Sequence, residues 1–146
     1  MTVLANVTGV AIAGRALLIE GPPGSGKSSL ALALIDRGAI LVGDDAIRVT
    51  REGSTLIAAP PPNTAGFIEL RNVGLVELPV AKGPVALILR LDSKAPRFPM
   101  ETVTRAVEGI EVPVLPFAAG DAVQALRAEY ALASHGLPLP KSVQKA

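Results

Sequence analysis

The 146-residue chain has no cysteine and no tryptophan, and only one tyrosine, three phenylalanines and one histidine. The missing cysteines exclude disulfides and thiolate metal sites. Aromatic residues at 3% leave no stacking platform for single strands, and 14 basic against 13 acidic residues supply no field for phosphate backbones, so a nucleic-acid partner is disfavoured. No apolar run approaches the roughly 18 to 20 residues of a membrane-spanning helix, because charges and prolines interrupt throughout, and no membrane association is expected. The start of the chain shows no basic segment followed by an apolar stretch and a cleavage site; the expected location is cytoplasmic. With so few aromatic rings, the 49% of apolar residues must form a core of Val, Leu, Ile and Ala, and the length suits one domain.

What the chain does have is glycine in one telling arrangement. Residues 21–28 read Gly-Pro-Pro-Gly-Ser-Gly-Lys-Ser, two glycines bracketing four residues and then Lys27 and Ser28, the spacing of a phosphate-binding loop. The apolar run of Ala16, Leu17, Leu18 and Ile19 suits a buried strand before it. Residues 29–37 after it are rich in helix formers and close at Gly38, expected at C′. Strand, loop and helix are the context the motif needs. Gly21, Gly24 and Gly26 allow positive φ and turn successive N–H groups toward phosphate oxygens, and the helix N-terminus adds partial positive charge. Lys27 would reach the β- and γ-phosphates of a nucleotide and the Ser28 hydroxyl would ligate Mg²⁺. The nucleotide-binding candidates are therefore Gly21, Gly24, Ser25, Gly26, Lys27, Ser28 and Ser29. The competing reading is a glycine-rich turn with a chance lysine.

Residues 3–12 carry a strand pattern that turns at Ala13, Gly14 and Arg15 into the loop-bearing strand. Such a hairpin would let Asn6 or Thr8 face the phosphate site, unless each is an ordinary strand hydrogen-bonder. Residues 39–43 form an apolar run ended by Asp44 and Asp45. Acids beyond the C-terminal end of a buried strand can serve as a Mg²⁺ ligand or as a base toward bound phosphates; the alternative is a turn held by Asx hydrogen bonds. A strand resumes at 46–50, a turn is expected at Glu52 and Gly53, another strand at 54–59, and a loop at 60–63, where Pro60, Pro61 and Pro62 exclude helix and central strand. In an extended segment 67–71, Glu69 and Arg71 share one face and Ile68 and Leu70 the other.

Further strands are expected at 74–78 and 85–91, a polar loop at 92–97, and an irregular or weakly helical stretch at 100–108. Pro113 and Pro116 make 111–117 an edge-type strand. Residues 121–134 suit an amphipathic helix with Val123, Leu126, Tyr130, Leu132 and Ala133 on its apolar face, Asp121 as cap and Gly136 as stop. His135 at that helix end reads as a partner of the helix dipole. The domain is expected to span residues 1–137, with 138–146 a disordered tail.

With the loop, the paired acids and the Glu-x-Arg segment in order, the chain resembles the catalytic domain of HPr kinase/phosphorylase over residues 3–132, in the short bacterial form without the separate N-terminal domain. The loop and helix with Arg37, Gly38 and the run Leu41, Val42, Gly43, Asp44, Asp45 match one family stretch. Glu69, Leu70, Arg71, Asn72, Val73 and Gly74 resemble its Glu-Ile-Arg-Gly-x-Gly signature, and Arg97, Phe98 and Pro99 are a weaker third. The resemblance implies an α/β fold: a P-loop-containing mixed β-sheet with flanking helices, similar to the nucleotide domain of phosphoenolpyruvate carboxykinase. It implies a protein-serine kinase that uses ATP or pyrophosphate to phosphorylate HPr, a phosphocarrier of the phosphotransferase system, and that removes the group with inorganic phosphate. It assigns Asp44 or Asp45 as the base, Lys27 to the transferring phosphoryl group, Ser28 and Glu69 to Mg²⁺, and Arg71 to transition-state charge or HPr docking. Homo-oligomers go with it, hexameric in members with the extra domain.

Three positions depart from the pattern. Asn6 replaces a histidine, Asn72 replaces a glycine, and the basic stretch is not recognisable near residues 119–124. Another P-loop phosphotransferase or nucleotidase, or a non-catalytic nucleotide-binding regulatory module, would share the loop and a metal-binding acid.

Overall fold

Apolar alternation and short left-handed turns fold most of the chain into strands. In the computed structural model, which describes residues 1–99, 101 and 103–140, the order is β1 (Thr2–Ala5), β2 (Val7–Ile12), β3 (Arg15–Glu20), α1 (Lys27–Asp36), β4 (Ile40–Gly43), β5 (Ala46–Glu52), β6 (Thr55–Ala59), β7 (Phe67–Leu70), β8 (Gly74–Glu77), β9 (Gly83–Leu91), β10 (Val103–Val107), β11 (Ile110–Phe117) and α2 (Gln124–His135). Among the described residues, nine strands form a mixed sheet. Within it β9 pairs in parallel with β3 and β11, β2 lies antiparallel between β3 and β4, and β6, β5 and β1 extend from the start of β9. The β7–β8 hairpin stands apart.

Two cores lie on opposite faces of β3 and β9. Leu17 and Ile19 join Leu87, Leu89, Phe117 and the helix residues Leu30, Leu34 and Leu132. Ala16 and Leu18, out of phase by one residue, join Ile47, Val49, Leu56, Ile88 and Val112 beneath β5 and β6. Burial on both faces is why these strands read as unbroken apolar runs. α1 stops as its sequence predicts: the Gly38 N–H donates to Ile35 O at 3.0 Å and the Ala39 N–H to Leu34 O at 3.1 Å, the paired bonds of a Schellman motif.

Five expectations are corrected. The strand over 3–12 breaks at Asn6, whose φ of 62° is left-handed, a conformation that asparagine tolerates better than most residues. β1 thereby departs to pair with β5, and only β2 forms the hairpin with β3, through left-handed Ala13 and Gly14. The segment taken as irregular contains β10, which returns into β11 through Glu108 and Gly109, also left-handed; Met100 and Thr102 lie outside the described residues. β11 is not an edge strand but runs between β10 and β9. It exchanges partners at Val114, so Pro113 and Pro116 each sit where a ladder exists on one side only, the setting in which a strand tolerates proline.

α2 begins at Gln124, and the Asp121 carboxylate accepts the Val123 N–H at 3.0 Å, shaping the preceding turn instead of capping the helix. Its buried face is Ala125, Ala128, Ala131 and Leu132, while Val123, Leu126 and Tyr130 are exposed. Small side chains let the helix lie close to α1 and β9, where the larger ones would not fit. Finally, β7 ends at Leu70, so Arg71 falls in the turn rather than on the strand face with Glu69. Past α2, the Leu137 N–H donates to Ala86 O at 2.9 Å and Arg15 donates to Leu137 O at 3.1 Å; residues 141–146 of the expected tail lie outside the described residues.

Candidate active site

β3 and β4 run in the same direction because each is antiparallel to β2, and β9 runs parallel to β3. Their C-terminal ends, Glu20, Gly43 and Leu91, therefore share one edge with the first residues of β2, the edge where open α/β sheets bind ligands. The loop after β3 and the acid pair after β4 meet there. Gly9 pairs with Gly43, which sets Thr8 opposite Asp44.

Gly24 and Gly26 in the loop have φ of 80° and 102°, values costly for any residue with a Cβ. Gly26 is the N-cap of α1 and no side chain caps that end, so the first N–H groups of the helix are left to a ligand. Lys27 is buried, 7% exposed, and its Nζ donates to Gly21 O at 2.8 Å and Pro22 O at 3.3 Å. The Ser25 hydroxyl is buried and has no partner among the described residues, an orphan of the kind that a bound group would satisfy.

The two acids take opposite courses. Asp44 Oδ1 accepts from Ser28 Oγ at 2.7 Å and from Thr8 Oγ1 at 3.0 Å, and its Oδ2 lies 3.4 Å from the Glu69 N–H. Asp45 has a left-handed φ of 61°. Its N–H donates to Thr8 Oγ1 at 3.2 Å and its carbonyl accepts the Asn6 N–H at 2.8 Å. Its carboxylate leaves the turn toward solvent, 71% exposed, with Oδ1 4.0 Å from Lys27 Nζ. The turn is tight enough that a Cβ on Gly43 would collide with the Ala46 carbonyl.

Of the candidates read from sequence, Lys27, Ser28, Asp44 and Asp45 are brought together, Glu69 approaches Asp44 through its backbone, and Arg71 is exposed in the adjoining turn. Asn72, also in that turn, has a left-handed φ of 67°, so asparagine here occupies a conformation that suits glycine, and the change costs the backbone little. Ser29 is exposed on the first turn of α1. Of the pair proposed to face the site, Thr8 bonds to both acids through its side chain, whereas Asn6 is exposed and bonds Asp45 through its backbone. A cleft of about 420 Å³ beside the loop is lined by Asn6, Glu20, Gly21, Pro22, Arg90 and Asp92 among others.

The sequence reading missed one support of the loop. Arg105 of β10 grips Glu20, the residue before Gly21, with two parallel bonds of 2.7 and 2.6 Å, and that hydrogen bonding holds the guanidinium above its ordinary pKa. The signal was the Glu108-Gly109 turn flanked by Val103, Thr104, Val107 and Ile110, a hairpin pattern that would have made β10 visible.

Among the described residues no three His, Cys, Asp or Glu side chains converge as a metal cage. The donors at the loop are oxygens, a hydroxyl and carboxylates, which suit Mg²⁺, an ion that keeps several waters and takes one or two carboxylates together with substrate phosphates.

Comparison with known proteins gives consistent results. A family model described as HPr Serine kinase C-terminal domain matches residues 2–126. An HPr kinase/phosphorylase of Aromatoleum aromaticum is 34% identical over 126 residues, covering 75% of this chain and 40% of that protein. One from Clostridium acetobutylicum is 42% identical over 74 residues, 51% of this chain and 24% of that protein. The chain thus spans well under half the length of these curated relatives. The solved structure of the Hpr(Ser) kinase/phosphatase from Coxiella burnetii superposes with a TM-score of 0.79 at 30% identity, covering 92% of this chain and 96% of that one. Its match accords with a mixed α/β fold dominated by sheet.

Proposed function

The chain belongs to the HPr serine kinase C-terminal domain family, and on that footing we propose that it is an ATP-dependent protein-serine kinase acting on the phosphocarrier HPr. Inorganic phosphate would drive the reverse step, releasing pyrophosphate. The observation that carries this reading is the divergence of the adjacent acids, Asp44 toward Ser28 and Asp45 toward Lys27. In this reading one carboxylate serves the metal side of the loop and the other the reacting side.

In this reading the N–H groups from Gly21 to Ser28 and the uncapped start of α1 cradle the phosphates. Lys27 exchanges its loop carbonyls for the β- and γ-phosphate oxygens and offsets charge as the phosphoryl group transfers. Ser28 and Glu69 would hold Mg²⁺, with Asp44 hydrogen-bonded behind Ser28, and the ion would supply positive charge to offset the charge that develops on the phosphates. Asp45 takes the proton of the attacking serine as the bond from the γ-phosphorus to its bridging oxygen breaks, and returns that proton in reverse. Arg71, exposed in the turn after β7, would compensate transition-state charge or meet HPr. The exposure of Asp45 supports a protein acceptor, since a serine on a macromolecule must reach the base without passing through a closed pocket.

The fold reading at finer grain, a P-loop mixed sheet like the nucleotide domain of phosphoenolpyruvate carboxykinase, is supported by the loop joining β3 to α1. A cytoplasmic location goes with the proposed partner. Incubation with γ-labelled ATP, Mg²⁺ and HPr, followed by localisation of the label, tests the function. Phosphoserine on HPr is expected, and label delivered only to water or a small molecule would defeat the reading.

A further inference from the structure

Thr8 is fully buried on β2, where its neighbours Val7, Gly9 and Val10 are buried and carry no polar side chain. A hydroxyl in such a place is costly unless bonded. Both of its bonds go to the acid pair: the O–H donates to Asp44 Oδ1 at 3.0 Å, and the oxygen accepts the Asp45 N–H at 3.2 Å. The backbone of the turn has other supports, namely the Gly9–Gly43 pair, the Ala5–Ala46 pair and the Asn6 N–H on the Asp45 carbonyl. The Asp44 carboxylate has fewer. Besides Thr8 it has Ser28 Oγ, the hydroxyl that must turn a lone pair toward a cation, and a longer 3.4 Å bond from the Glu69 N–H to Oδ2. Thr8 is β-branched, stiff at χ1 and enclosed, so it gives Asp44 a partner that does not move.

Resting on the kinase reading above, we propose that Thr8 is a positioning residue. With one hydroxyl it fixes the Asp44 carboxylate against Ser28 and holds the Asp45 amide, so that the Asp45 side chain leaves the turn toward Lys27. It touches no reacting atom and acts through the two acids.

Thr8→Val keeps shape and burial but removes the hydroxyl, whereas Thr8→Ser keeps the hydroxyl and loses a methyl. Three readouts on the full chain separate positioning from packing: kcat and KM for ATP with HPr as acceptor, the Mg²⁺ concentration giving half of the ATP-induced rise in Tm, and hydrogen exchange of the Asp45 amide. Thr8→Val should lower kcat by roughly 10- to 100-fold, the range for one hydrogen bond to a charged group. The KM for ATP should stay within about 2-fold, as expected when ground-state nucleotide binding is untouched. The Mg²⁺ midpoint should rise and Asp45 exchange should quicken, and Thr8→Ser should recover most of all three. A Thr8→Val protein with the wild-type Mg²⁺ midpoint and kcat overturns the proposal. So does a Thr8→Ser protein as impaired as Thr8→Val, which would make the role one of packing. If the wild-type chain transfers nothing to HPr, the kinase reading is what fails, and the Mg²⁺ midpoint and Asp45 exchange still decide Thr8.

Discussion

Ser28 Oγ donates to Asp44 Oδ1 at 2.7 Å, so the hydroxyl at the start of α1 and the first acid after β4 act as one unit. Asp44→Asn keeps an oxygen that can accept from Ser28 but removes the charge. A charge-assisted bond is worth about 1.5 to 3 kcal/mol, so the Mg²⁺ concentration for half-maximal transfer should rise roughly 10- to 100-fold, with partial recovery at high Mg²⁺. A Mg²⁺ titration identical to wild type would contradict the pairing.

Lys27 bonds to the loop carbonyls of Gly21 and Pro22 and to no group in either core. Lys27→Ala should therefore abolish both transfer and the ATP-induced rise in Tm, while the chain stays folded with a loss of at most about 1 to 3 kcal/mol for the freed carbonyls. Circular dichroism and an ATP thermal-shift series check this. Turnover equal to wild type would remove Lys27 from the site.

The revised face of α2 has its own test. Ala128 is fully buried and Leu126 is partly exposed at 39%. Ala128→Leu should cost about 1 to 3 kcal/mol by overpacking, whereas Leu126→Ala should stay within about 0.5 kcal/mol, as surface changes do. Denaturant melts giving the opposite order would restore the face read from sequence.

Why that face was misread, while the meeting of the glycine-rich loop with the acid pair was not, follows from what each depends on. The loop was legible because Gly24, Gly26, Lys27 and Ser28 are dictated by local backbone and ligand chemistry. The Asp44-Asp45 turn was legible because an apolar strand ends there. The helix face depends on how near α2 lies to α1 and β9, a tertiary distance that rewarded alanines over Leu126 and Tyr130. The different directions taken by the Asp44 and Asp45 side chains were not legible either. They rest on the left-handed φ at Asp45 and on Thr8, which reaches the pair from a strand more than thirty residues earlier. Pro113 and Pro116 misled because a strand that changes partners midway can hold prolines internally.

Acid should loosen one corner of the fold. The Met1 amino group foremost, with the Thr2 hydroxyl and the Arg51 amide, holds the Glu108 carboxyl below its ordinary range. A carboxylate with a depressed folded value contributes stability that is complete above the unfolded pKa, about 4.3 for glutamate, and is lost as pH falls through the folded value. The Tm gap between wild type and Glu108→Gln should therefore be widest near about pH 6 and shrink toward about pH 3. A gap that stays constant across that range would show that the ion pair and its hydrogen bonds contribute nothing.

The central claim is that Asp45, exposed and 4.0 Å from Lys27 Nζ, is the base for transfer to a serine of HPr. Its most direct test is single-turnover transfer of labelled phosphate from ATP to HPr by wild type and Asp45→Asn, at saturating Mg²⁺ and with ATP affinity measured alongside. The predicted result is a loss of roughly 10²- to 10⁴-fold in transfer rate with ATP affinity retained; an Asp45→Asn protein that phosphorylates HPr at the wild-type rate would contradict it.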